Sequence, residues 1–312
     1  MQESRSTAGQ VKRSYSWFSS RQGSLLKLLS RDKVALFAAL VILIVIVSAI
    51  ASPVIGPYDP NEQDLYNRLT PPFWMQGGNL THPLGTDQLG RDILSRIIDA
   101  SRISLLVGFI IVAISAFIGC SLGLIAGFVR GKTDEVVMSI TDIIMAFPGI
   151  LLTLSIARFM GPGLVTIIAA LSLRYWTAFA RISRGLVMSV RETEYMTAAR
   201  AIGCSTRRCV VTHALPNILS PVINLATLEC AQIMLSEAGV SFLGFGIQPP
   251  LISWGLMIAD GRDYLASAWW VVTFPGLALC ITILSMNTLA SYMRLVTDPV
   301  QRSRLQAAAA KE

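Results

Sequence analysis

The chain has 312 residues, of which 53% are hydrophobic and 14% charged, with a mean hydropathy of +0.58. This composition is too apolar for a soluble domain and is typical of a polytopic membrane protein. The net charge of +7 does not indicate nucleic-acid binding, because the basic residues are spread over several loops beside apolar runs.

Metal and disulfide chemistry are not expected. The five cysteines lie in apolar runs or in one polar stretch, without metal-ligand spacing. The two histidines, His82 and His213, are far apart in the sequence. We therefore predict no metal site and no cofactor bound by this chain.

Apolar runs predict an all-α membrane protein with six transmembrane helices. A polar, basic tail of residues 1–33 precedes the first run, 34–51, which we interpret as an uncleaved anchor although its Ala-Ile-Ala end resembles a signal-peptidase site. The later runs are 103–128, 136–157, 163–180, 222–240 and 269–293. Residues 102–293 would form the transmembrane core and residues 294–312 a polar C-terminal tail.

Residues 52–101 are rich in Pro, Gly, Asn and Asp, which predicts loops and turns outside the membrane. They end in a pattern of apolar and charged residues at helical spacing, which predicts an amphipathic helix on the membrane surface or on the helix bundle. Its apolar positions are Ile93, Leu94, Ile97 and Ile98, and its charged positions are Arg91, Asp92, Arg96 and Asp99.

Two features within the runs concern helix packing. Glycines recur every fourth residue at Gly119, Gly123, Gly127 and Gly131, a stripe that lets a neighbouring helix approach closely. Pro148 is expected to kink or break the third run, which is compatible with a gate or with plain packing around a bend.

The distribution of Lys and Arg predicts the orientation. With a cytoplasmic N-terminus, the inner segments hold 19 of these residues and the outer segments 6. The positive-inside rule therefore favours both termini in the cytoplasm, and it makes residues 52–101 extracytoplasmic.

Charged residues inside apolar runs are candidates for a translocation path, because a charge in hydrocarbon is costly unless it faces protein or water. Asp142, Glu229, Glu237 and Arg174 are such residues, and the three acids are the candidates for the path. The alternative is that they make hydrogen bonds between helices, or that Glu237 and Arg174 lie near the membrane interface.

A polar stretch from Glu192 to Asn217, here called the elbow, joins the fourth and fifth runs. It predicts one helix from Glu192 to about Ile202, ended by Gly203, and a second from about Ser205 to His213, closed before Leu215-Pro216. The small Ala198 and Ala199 form a patch that a soluble partner could approach. The alternative is an ordinary helical loop whose arginines contact anionic lipid headgroups.

Enzymatic chemistry finds no support in the sequence. The segment Gly127–Thr133 resembles a phosphate loop but has three residues between its glycines where the motif needs four, and it follows a membrane helix. No catalytic motif is present. Any energy from ATP must therefore come through a partner.

The chain resembles the permease subunits of type I ABC importers, specifically the dipeptide/oligopeptide/nickel family. Three stretches carry the resemblance: LGTDQLGRDILSR at 84–96, YMTAARAIG at 195–203 with HALPN at 213–217, and LSEAGVSFLGFGIQPP at 235–250 with SWG at 253–255. The resemblance implies that the elbow is the coupling helix. The implied coupling residues are Glu194, Tyr195, Ala198, Ala199, Arg200, Gly203, His213, Leu215, Pro216 and Asn217.

The resemblance also implies the surroundings of the chain. It would lie in the cytoplasmic (inner) membrane among lipid, beside a homologous second permease subunit. Two ABC ATPase subunits would supply ATP and Mg, and an extracytoplasmic binding protein would deliver di- or oligopeptides. Thr197 stands where the general motif has Glu, which leaves Glu192 or Glu194 as the substitute. The alternatives are import of another solute, such as a nickel chelate, and a proton-driven secondary transporter using Asp142 and Glu229.

Overall fold

Helices make up most of the computed structural model, which describes residues 32–297. The described residues include no β-strand. The helices are α1 Lys33–Ile55, α2 Ile93–Val129, α3 Lys132–Ala146, α4 Gly149–Met160, α5 Leu164–Arg191, α6 Glu194–Ala201, α7 Thr206–Phe242, α8 Trp254–Gly261 and α9 Trp270–Thr297. Most of the two predicted tails lies outside the described residues.

Five of these helices are long and apolar enough to cross a membrane, and α3 with α4 makes a sixth span bent by 89°. The prediction of an all-α fold with six spans is confirmed. The bend lies at Phe147-Pro148, as expected. Phe147 is extended because a residue that precedes proline disfavours the α conformation, and Pro148 then caps α4.

The glycine stripe of α2 packs against α5, as predicted for three of its four members. A Cβ on Gly119 would lie 2.6 Å from the Phe179 Cβ, and one on Gly123 would lie 2.9 Å from the Ser183 Cβ. Gly127 meets the backbone of α5 in the same way. The prediction was wrong for Gly131, which has nothing within 4 Å and a φ of +63°, because it lies in the turn between α2 and α3.

The amphipathic helix predicted before the second span is the first part of α2 itself. Its charged residues are not on a solvated face, since Arg96 is only 2% exposed. Arg96 lies 3.5 Å from an Asp87 oxygen and 3.8 Å from an Asp260 oxygen, and Arg91 pairs with the same two carboxylates. This four-residue ionic network ties the loop before α2 to α8, and burial raises the pKa of Asp260.

The core has two apolar clusters. One lies among α2, α5, α7 and the elbow and includes Ile111, Phe179 and Ile218. The other joins the start of α2 to α8 and α9 around Ile93 and Trp254. The elbow is therefore packed onto the first cluster, and the ionic network lies beside the second.

Candidate functional site

The first half of the elbow is α6, a short helix held down by a single buried residue. Met196 is 0% exposed and belongs to the apolar cluster of α2, α5 and α7. Gly203, with a φ of +83°, ends α6 as predicted. Its N–H donates to the Arg200 carbonyl, and the Cys204 N–H donates to the Ala199 carbonyl, which is the pattern of a Schellman motif.

The second half of the elbow differs from the prediction. The helix that begins at Thr206 is not closed before Leu215-Pro216 but continues to Phe242. Residues Cys209–Ala214 are π-helical, and the Leu215 N–H donates to the Val210 carbonyl five residues back. Pro216 has no N–H for the carbonyl four residues before it. The sequence rule that proline ends a helix therefore failed here, because a wider turn accommodates the proline.

A polar strut joins the two halves of the elbow. The Asn217 amide nitrogen donates to the Tyr195 hydroxyl at 3.2 Å and to the His213 carbonyl at 2.7 Å. The Tyr195 and His213 rings meet edge to face with centroids 6.3 Å apart. These three predicted coupling residues thus lie together and fix α6 relative to α7.

Two contacts of the elbow with the end of α2 were not predicted. The Phe128 ring lies under the Arg200 guanidinium at 4.9 Å and near that of Arg191 at 5.7 Å. Arg130 forms an ion pair with Glu192. No local sequence pattern indicates either contact, because both join positions more than 60 residues apart.

The remaining elbow residues form an open face. Ile202 is 87% exposed, so a large apolar side chain projects from this polar stretch into solvent. Glu194 has no ion-pair partner among residues 32–297, in contrast to Glu192. The predicted coupling residues Ala198, Gly203, Leu215 and Pro216 are also exposed, and Ala199 is half-buried. The elbow of the described structure therefore exposes an unpaired carboxylate, at Glu194, and apolar side chains, of which Ile202 is the most exposed, beside small residues.

Two of the three predicted path residues have partners elsewhere. Asp142 pairs with Arg181 at 2.7 Å, and both side chains are exposed. Glu237 is 2% exposed and accepts hydrogen bonds from the Ser241 and Ser253 hydroxyls. Ser253 also caps α8, so Glu237 joins α7 to α8.

The third predicted path residue, Glu229, lines a cavity at the bend between α3 and α4. This cavity of about 230 Å³ also contains Arg174 and Tyr175, together with Ile144, Met145 and Phe147. An adjoining cavity of about 330 Å³ shares Arg174 and Tyr175 and reaches Pro148 at the bend. Of the three acidic residues singled out, only Glu229 therefore lies on these cavities.

The chain is similar to known transport proteins over most of its length. The family described as "binding-protein-dependent transport system inner membrane component" matches residues 119–302, and "N-terminal TM domain of oligopeptide transport permease C" matches residues 24–72.

Among curated proteins, the di/tripeptide transport system permease protein DppC of Pseudomonas aeruginosa is 40% identical over 86% of this chain and 89% of its own length. The dipeptide transport system permease protein DppC of Haemophilus influenzae is 37% identical over 86% of this chain and 91% of its own length. The protein of the same name from Escherichia coli is 39% identical over 86% of this chain and 90% of its own length.

Among solved structures, an inward-facing form of the MetNI methionine ABC transporter has a chain that is 21% identical, with a TM-score of 0.54 over 66% of this chain and 97% of that chain. A second crystal form of that transporter gives a TM-score of 0.56 at 20% identity, over 66% of this chain and 98% of that chain. These structures support the fold.

Proposed function

The chain belongs to the family of inner-membrane components of binding-protein-dependent transport systems, and on that premise we propose that it is a permease subunit importing di- and oligopeptides. As a multi-pass inner-membrane subunit of an ABC importer it is not itself an ATPase. The peptide solute is supported by the names of relatives about 40% identical to it, which are di- and tripeptide permeases.

The observation that carries the coupling role is the elbow's open face. A soluble partner could reach Glu194, Ala198 and Ile202 without displacing any described residue of this chain, whereas Met196 and the Asn217 strut hold the elbow to the membrane helices. Two partner ATPase subunits carrying ATP and Mg would contact this face and that of a homologous second permease. Movement of the elbow would then pass directly into α7, which is one helix from Thr206 to Phe242.

The orientation follows from the charge distribution, with both termini in the cytoplasm. The loop before α2 then faces the extracytoplasmic binding protein. Glu229 would lie on the proposed path. Asp142 and Glu237 would instead hold neighbouring helices together, through Arg181 and Ser253 respectively.

The test is uptake of labelled dialanine by vesicles containing this chain, the second permease, the ATPases and the binding protein. Uptake should require ATP hydrolysis. It should fall at least tenfold in an Ile202→Asp variant that still inserts, because a charge would replace the exposed apolar contact. ATPase association, measured on the same membranes, should fall in Ile202→Asp and stay at the wild-type level in Leu80→Asp, the matched control for this readout, since Leu80 is 78% exposed in the loop before α2 on the opposite side of the membrane.

Three results would contradict the proposal. Uptake that persists with inactive ATPases would indicate a proton-driven carrier. Uptake of a nickel chelate without any uptake of peptide would show that the solute is the chelate and not a peptide. Equal loss of ATPase binding in Ile202→Asp and Leu80→Asp would show that the open face of the elbow is not the contact with the ATPase.

A further inference from the structure

Three arginines lie on the side of α5 that meets α3 and α4, and only two of them have carboxylate partners. Arg181 pairs with Asp142 at 2.7 Å, and an Arg184 Nη2 donates to Asp134 at 2.6 Å. The Arg174 guanidinium has neither a hydrogen bond nor an ion pair with any residue of 32–297, and only the Arg174 backbone carbonyl accepts a side-chain hydrogen bond, from Thr177. Its guanidinium lies 4.8 Å from the centre of the Tyr175 ring.

The first residue of α4 makes room for this guanidinium. A Cβ on Gly149 would lie 2.6 Å from the Arg174 Cδ and would overlap the guanidinium itself. Gly149 directly follows Pro148 at the bend. The bend and the absence of a Cβ on Gly149 together leave the space that the guanidinium occupies. The arginine therefore reaches the two cavities at the bend, and it lines both of them.

Glu229, on α7, lines the first of the two cavities. It is half-buried, and within the described part of the chain its carboxylate has no hydrogen bond and no ion pair. Arg174 and Glu229 line the same cavity, but they do not form a direct ion pair. One cavity thus contains a positive and a negative group that are separate from each other.

Neighbouring contacts hold the wall of this cavity in place. The Tyr175 hydroxyl is 2.8 Å from the Ser236 hydroxyl and donates to the Gln232 carbonyl at 3.2 Å. These contacts join α5 to α7, which carry Arg174 and Glu229 respectively. The two charges therefore project from helices whose relative position is fixed at this level.

Unpaired half-buried charges in a membrane protein are costly and mark sites for ions or solutes. A guanidinium is suited to bind a carboxylate through two parallel hydrogen bonds, and a carboxylate is suited to bind an ammonium group. A solute with both groups would match both charges at once. The apolar Ile144, Met145 and Phe147 of the same cavity would contact whatever lies between them.

We propose that Arg174 and Glu229 form a binding site for zwitterionic solutes, with Arg174 binding the carboxylate and Glu229 the ammonium group of a short peptide. The site rests on the proposed function, since it lies on the path through which the peptide would pass. It recognises the two termini and leaves side chains to apolar contacts.

The experiment measures binding of labelled dialanine to the purified membrane complex without its binding protein. Unlabelled dialanine, dialanine amide and N-acetyl-dialanine are the competitors. In the wild type, both blocked peptides should compete about tenfold more weakly than dialanine, because each lacks one charge-assisted contact. Arg174→Gln should remove the preference over the amide, and Glu229→Gln the preference over the acetylated peptide.

Controls separate recognition from folding. Arg158→Gln and Glu135→Gln change exposed charges on α4 and α3 outside the cavities and should keep the wild-type preferences. Arg174→Lys keeps the charge without the planar fork and should retain part of the preference over the amide.

The inference is overturned if the wild-type complex does not bind dialanine, or if the Arg174 and Glu229 variants keep both preferences. In either case, ATP-dependent peptide uptake by the complete system would leave the proposed function standing. Conversely, absence of such uptake would refute the proposed function whatever the binding results.

Discussion

Gly203 shows how one residue can be required for its backbone alone. Its φ is +83° and nothing lies within 4 Å of the position of its Cβ. A substitution there meets no neighbour, so its cost comes from the left-handed conformation, which is about 1–2 kcal/mol for a residue with a Cβ.

We expect Gly203→Val to weaken ATPase coupling more than Gly203→Asn, because asparagine tolerates this conformation and valine does not. The measurement is peptide-stimulated ATP hydrolysis by the reconstituted complex. Equal activity of the two variants would show that the conformation of Gly203 is not needed.

The two candidate substitutes for the motif Glu are distinguished by their contacts. Glu192 is held by Arg130, whereas Glu194 lies in the first turn of α6 on the open face. We predict that Glu194→Gln weakens ATPase association about tenfold, the size of one charge-assisted contact.

Glu192→Gln is the paired comparison for this prediction. It removes only an exposed ion pair, worth at most about 1 kcal/mol. Association of the purified subunits, measured by light scattering or surface binding, reports both variants. A larger defect in Glu192→Gln than in Glu194→Gln would assign the carboxylate role to Glu192.

At the scale of the elements, the existence of the helices could be predicted and their extents could not. Apolar runs, Pro148 and Gly203 are local signals, and the spans, the bend and the end of α6 follow from them. The charged Arg91 and Arg96 at the start of α2 predict an amphipathic helix on the membrane surface or on the helix bundle, but both side chains are buried. Their burial depends on Asp87 and Asp260, and Asp260 is more than 160 residues away in the sequence.

The contact of α2 with α5 gives a prediction at this scale. Gly119→Leu should prevent the close approach and destabilise the protein by about 3 kcal/mol, because overpacking at a backbone contact forces the helices apart. Gly185→Leu is the control, since Gly185 on α5 is exposed with nothing within 4 Å. Thermal unfolding in detergent should show a lower midpoint for Gly119→Leu alone; a shared midpoint would contradict this packing role.

For the whole molecule, the distribution of Lys and Arg predicts which side of the membrane each loop faces. Alkaline phosphatase inserted after Glu62, an exposed position in the loop before α2, should be active. The same enzyme fused after Glu312 should be inactive, and a fluorescent protein there should fluoresce. The opposite pattern would show that the chain has the inverse orientation and that the elbow does not lie in the cytoplasm.

The candidate site could be predicted from the sequence only in part, because it depends on how the helices are assembled. Glu229 could be chosen from the sequence because a carboxylate in an apolar run is conspicuous. Arg174 is also a charge inside an apolar run, for which a position near the interface was the alternative, and its place beside Gly149 depends on the bend between α3 and α4. The complementary charges are therefore a property of the assembled bundle.

The π-helical turn at Cys209–Ala214 changes the direction in which the residues before it point from the axis of α7. Such a turn is equivalent to one residue inserted into an α-helix, and each residue of an α-helix advances the azimuth by about 100°. Thr206–Arg208 are therefore rotated by about that angle from the direction that an unbroken helix through Phe242 would give them. Deleting one residue of the turn would therefore leave a regular α-helix with Thr206–Arg208 in the same direction, whereas converting the turn to α-helix with all its residues kept would rotate the elbow about the axis of α7.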